Sequence, residues 1–165
     1  PDFVVTEEDR EKAASSVGPS LEKGKLIVIA PDASDKKRCL TGKFIAEFES
    51  LMHEAGYSTY VTGPDRGSFP SLGELGAIVD MASAVVCGDN GVYHLAAAMR
   101  DTPSFPIFTT IDPKLRCKWY NNCYPSLAPV DCAPCNEDPV KGCTGNCMSF
   151  VSASGIAKLV VGMVR

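Results

Sequence analysis

The strongest chemical pattern in the chain is Cys87-Gly88-Asp89-Asn90-Gly91, with His94 three residues further on. An apolar run ends there, two glycines bracket Asp-Asn, and an Ala-rich helix is predicted to begin. Free backbone N–H groups at a helix start favour an anion such as a phosphate. The Asp89 carboxylate suits a ribose hydroxyl better than a phosphate, and the His94 ring could reach a phosphate from the first turn. The same spacing also describes a capped helix with a packed histidine, and spacing alone leaves the two readings open.

Asp35-Lys36-Lys37-Arg38 follows the run KLIVIA. Three cations at the end of a buried strand could pair with a diphosphate; a solvated basic loop is the alternative. The cysteines form the third pattern. Of the eight, Cys117, Cys123, Cys132, Cys135, Cys143 and Cys147 crowd the last third, while Cys39 and Cys87 stand apart. The spacing Cys132-x2-Cys135-x7-Cys143-x3-Cys147 admits a structural zinc held by four thiolates. Free thiols, or disulfides involving Cys117 and Cys123, compete with it. A thioredoxin-like role fits less well, because Pro139, Gly142 and Gly145 oppose the helix that such a CxxC should start.

Composition limits the classes. The chain has 165 residues, 45% of them apolar, enough for one core, and a net charge of −4. That balance argues against a nucleic-acid binder, which needs clustered Lys and Arg. No apolar run reaches the ~20 residues of a transmembrane helix. The polar start PDFVVTEEDREK does not read as a signal peptide, and the absence of an initiator Met suggests processing or, in preference, a fragment of a longer protein. Local crowding of cysteines without an export signal fits a reduced, cytoplasmic protein.

The elements that must position these residues follow from periodicity. Helices are predicted from Thr6 to Gly18, over 41–55 with Phe44, Ile45, Phe48, Leu51 and Met52 on one face, over 72–81, over 92–99, and over 152–164. Strands are predicted over 25–30, 57–62, 83–87 and 104–109, as short β-branched runs suited to burial on both faces. Between about 110 and 149 no periodicity is visible, only a long Cys-rich loop. Alternating strands and helices imply an α/β, Rossmann-like parallel sheet with helices on both faces, a single domain over 1–165. Ligands in such folds sit at the carboxyl ends of the strands.

Three segments together are similar to glycosyltransferase family 9, the ADP-heptose:lipopolysaccharide heptosyltransferases. SLGELGAIVDMASAVVCGDNGVYHLAAAM followed by PIFTTIDP resembles the family's serine-leucine helix, strand, D-T-G-P-x-H-L-A-A-A block and G-P-T-D-P loop. Asp89, Gly91, His94, Leu95, Ala96, Ala97 and Ala98 match the block, and Asp112 and Pro113 match the loop. APDAS followed by KKRC resembles the donor loop P-G-A-x…K-R-W-P, with Lys37 and Arg38 matching. The late cysteines and closing helix also have counterparts in many members.

The resemblance implies the C-terminal half of a GT-B fold, which binds the nucleotide of a sugar donor. By carry-over the donor-binding residues are Lys37, Arg38, Asp89, Asn90, Gly91 and His94. It implies an ADP-sugar as the favoured partner and a transfer, such as of heptose, to a glycan or lipid-linked acceptor held by the missing N-terminal half. The general base lies in that half, so no catalytic residue is expected in this chain, which alone is expected to be inactive. The leaving diphosphate is stabilised by charges and N–H groups, with no required cofactor. A cytoplasmic location, peripheral at the inner membrane, goes with this reading. A Cys-rich zinc or interaction module on a Rossmann-like core is the alternative. The chain departs from the family pattern at Asn90 (Thr in the family), Val92-Tyr93, Thr109-Thr110-Ile111, Asp32 (Gly) and Cys39-Leu40 (Trp-Pro). The span between Tyr60 and Ser71 is also short, with Asp65 the candidate for a donor-site acidic residue usual there.

Overall fold

The computed structural model describes residues 3–18, 24–63, 71–99, 102–136 and 142–164. Asp65, Pro139 and most of the turn-rich stretch before Ser71 lie outside them. The strands β1 (Leu26–Ala30), β2 (Ser58–Val61), β3 (Ala84–Gly88), β4 (Ser104–Phe108) and β5 (Ser126–Leu127) form one sheet in the order β2-β1-β3-β4-β5. Every pairing is parallel. The α/β, Rossmann-like expectation therefore holds, and the four predicted strands are present. The fifth is two residues long, too short to leave a periodic trace, and falls within the stretch read as loop.

Side chains alternate between two cores. Leu26, Val28, Ala30, Val85, Cys87 and Phe108 point to the face covered by α1 (Glu7–Val17), α3 (Leu72–Met81) and α4 (Val92–Ala98). Ile27, Ile29, Ala84, Val86, Phe105 and Ile107 point to the face covered by α2 (Gly42–Glu54) and α6 (Ala153–Met163). Strands buried on both sides need continuous apolar runs, which is why β1 and β3 read as LIVIA and AVVCG. The helix starts follow capping chemistry: Thr6, Thr41, Ser71 and Ser152 each accept a hydrogen bond from the backbone N–H three residues on. The α1 helix lies against the glycine ridge of α3, where a Cβ on Gly73 would strike Asp9 and one on Gly76 would strike Phe3. Arg10–Asp80 (2.7 Å) and Ser16–Glu74 (2.6 Å) close the rims of that contact.

The strand order sets the position of the site. After β1 the chain turns to α2 on one face, and after β3 it turns to α4 on the other. Neighbouring strands whose exits diverge leave a crevice between their loops, the usual ligand position in doubly wound sheets.

Candidate functional site

A cleft of about 590 Å³ lies at that crevice, lined by Asp32, Ala33, Ser34 and Arg38 after β1, by Asp89, Asn90, Gly91, Tyr93 and His94 after β3, and by Arg116. Its volume falls within the range usual for small-ligand sites.

The two loops are locked to each other. The Asn90 side-chain amide donates to the Ala30 carbonyl (2.9 Å) and to the Asp32 carbonyl (2.9 Å), and its Oδ1 accepts from the Val92 N–H (2.9 Å). A Cβ on Gly88 would collide with the Arg38 carbonyl, so only glycine lets the backbones pass this closely. Arg38 reaches over to Asp89, with Nη1 3.2 Å from Oδ2, and its Nη2 donates to Ser34 Oγ at 2.6 Å. Asp89 is buried, so this partner compensates a charge that would be costly alone.

His94 is exposed at the cleft, with Nδ1 2.6 Å from the Tyr120 hydroxyl. Its ring lies 4.0 Å from that of Tyr93, which is buried edge-on against Phe108. Burial lowers the His94 pKa below its ordinary value; Asp89 pulls it back up, and Arg116 lowers it further. The ring is therefore mostly neutral at neutral pH. Burial chiefly, with the Asp89 charge second, raises the Tyr93 hydroxyl far above the usual tyrosine range.

Several sequence expectations change here. The α4 helix is seven residues long, its Val92 N–H is taken by Asn90, and the Tyr93 N–H bonds the Cys87 thiol. The expected cluster of free N–H groups at this helix start is therefore reduced: α4 is only about two turns long, and the Val92 and Tyr93 donors already have partners. Asn90 lines the cleft, but its side chain is used as a strut. Lys37 does not line the cleft: its stem packs on Gly145, its carbonyl accepts from Thr109 Oγ1 (3.0 Å), and the 3-10 turn Lys36–Arg38 carries it toward the Cys-rich loop. Asp32 faces the cleft's edge, its Oδ2 only 2.6 Å from where a Gly63 Cβ would stand. Asp112 caps the short helix α5 (Pro113–Cys117) by accepting from the Lys114 N–H at 2.9 Å, which accounts for the Asp-Pro pair. Sequence reasoning missed Arg116, because its helix lies in the aperiodic stretch.

The four cysteines whose spacing admits a structural zinc are brought together only in part. Cys132, Cys143 and Cys147 line a small cavity of about 210 Å³, where Cys147 hydrogen-bonds Cys132, but Cys135 does not line it. Among the described residues no three His, Cys, Asp or Glu side chains are grouped to hold a metal ion. The loop is ordered by other means: Met148 is buried in the α2/α6 core, and Gly145 sits on the Lys37 stem. All eight cysteines are unpaired, and Cys117 and Cys123 are hydrogen-bonded to each other beneath the site.

Residues 70–143 match the model of glycosyltransferase family 9 (heptosyltransferase). That span contains β3, the Asp89–His94 loop and α5. This part of the chain is thus similar to family 9. The chain's fold is that of solved GT-B glycosyltransferases. The family 9 glycosyl transferase of Veillonella parvula DSM 2008 superposes with a TM-score of 0.81 at 14% identity, over 99% of this chain and 53% of that one. The Escherichia coli ADP-heptose lps heptosyltransferase II gives 0.72 at 13%, over 99% and 53%. The E. coli heptosyltransferase WaaC with ADP-2-deoxy-2-fluoro heptose gives 0.64 at 18%, over 92% and 46%. The chain spans about half the length of these structures. No curated protein sequence matches it.

Proposed function

We propose that this chain is the donor-binding half of a two-domain glycosyltransferase, holding the nucleoside diphosphate of a nucleotide sugar while the other half supplies the acceptor site and the general base. The observation that carries this reading is the convergence of Asp89, Asn90, Gly91, His94 and Arg38 on one cleft at the β1/β3 switch point. These residues coincide with the family's motif positions. An apposed carboxylate, guanidinium and imidazole give the cleft both an acceptor for ribose hydroxyls and donors for phosphate oxygens. Charge developing on the leaving diphosphate would meet these fixed groups without a metal. Solved relatives hold ADP and an ADP-heptose analogue, so an ADP-sugar is the first donor to test, with heptose transfer to a glycan or lipid-linked acceptor as the reaction.

Calorimetry on the full-length protein tests the reading. ADP is expected to bind in the presence of EDTA, and Asp89→Asn to weaken it about tenfold, the loss expected for one hydrogen bond to a charged group. Absence of binding to ADP, UDP and GDP alike would overturn the proposal.

A further inference from the structure

The cleft's cations are unequally committed. Lys37, matched by the family resemblance, is turned onto Gly145. Arg38 lies in the cleft but is held by Asp89 and Ser34. Arg116 also lines the cleft, arriving from α5 after β4, and is exposed. Among the described residues none forms an ion pair or hydrogen bond with its guanidinium. It stands close enough to His94 and Tyr93 to act on the ionisation of both. A guanidinium at the rim of a cleft, beside a neutral imidazole and without a carboxylate of its own, is matched to a bidentate anion.

We propose that Arg116 is the principal phosphate-binding cation of this site, gripping the diphosphate of the nucleotide from the β4 side in the place that sequence matching gave to Lys37. This rests on the donor-binding reading above and adds to it the residue that recognises the charged part of the ligand. Arg38 then contributes less to the phosphate, because its guanidinium is already shared with Asp89 and Ser34, and His94 flanks the bound phosphate.

The test uses the full-length protein, ADP as the probe, and calorimetry at low and at raised salt. Arg116→Gln is expected to weaken ADP binding about tenfold or more and to flatten its salt dependence. Lys118→Gln removes the same charge one residue past α5 and is expected to leave affinity within about twofold, while Lys37→Gln costs less than Arg116→Gln. ADP binding by the wild type with equal affinity in Arg116→Gln overturns this inference and leaves the donor-binding reading standing. Wild-type protein that binds no nucleoside diphosphate overturns both. A ligand-free check is the NMR titration of His94, assigned against His53→Gln. Removing the guanidinium is expected to raise the His94 pKa, and an unmoved titration would show that Arg116 does not face the imidazole.

Discussion

Asn90 makes three side-chain hydrogen bonds across two loops, so Asn90→Ala strands two carbonyls and an N–H at once. We expect a loss of about 2 kcal/mol in urea unfolding, a typical cost when hydrogen-bond partners are removed. The two glycines of the motif should behave oppositely. Gly88→Ala drives a Cβ into the Arg38 carbonyl and should cost about 2 kcal/mol or more. Gly91 has φ −68° and open space where its Cβ would stand, so Gly91→Ala should unfold like the wild type. If Gly91→Ala nevertheless binds ADP poorly, its requirement for glycine comes from ligand approach. His94 gives a pH prediction. Its folded pKa lies below the ordinary 6.5, so the unfolded chain takes up the proton first as pH falls. The contribution is fully present above about pH 6.5 and is lost as pH drops through that value toward the folded pKa. Urea midpoints should therefore decline on acidification more steeply in the wild type than in His94→Gln. Ligand phosphate should reverse the shift, raising the His94 titration.

At the scale of elements, what could be read from the chain alone depended on how each element earns its burial. The strands β1 and β3, buried on both faces, announce themselves as unbroken apolar runs, and α2 as a stripe containing Phe44, Phe48 and Met52. Caps at Thr6, Thr41, Ser71 and Ser152 fix the helix starts. The elements α5 and β5 are five and two residues long, below the length at which a period can be seen. Arg116 was hidden with them. The positions of the motif loop were legible; the partners of its side chains were not, because Lys37 meets Gly145 and Asn90 meets Asp32 only through folding over long separations. The cysteines show the same limit, since spacing permitted four thiolates to converge and packing brings three to one cavity. Packing also orders their reactivity. Cys87, Cys117 and Cys123 are buried, whereas Cys39, Cys132, Cys135, Cys143 and Cys147 are partly exposed. Iodoacetamide labelling of the native protein, read by mass spectrometry, should modify the second group first and reach the first group only on unfolding.

For the whole molecule, the chain matches about half of each solved relative. The proposal predicts that it binds nucleotide without transferring sugar unless the other half is supplied, a difference that a radiolabelled-donor assay would register. Among the described residues no helix is long and apolar enough to cross a membrane. The Trp119 indole is 77% exposed and Leu115 65% exposed, both in or just after the helix that carries Arg116.

The Asn90 strut also makes the two loops a single exchangeable part. A threonine at this position could not span to both Ala30 and Asp32, and the backbone of the preceding loop would lose its anchor. A chimera that takes one loop from a solved relative and keeps the other should therefore unfold more easily than one that exchanges both.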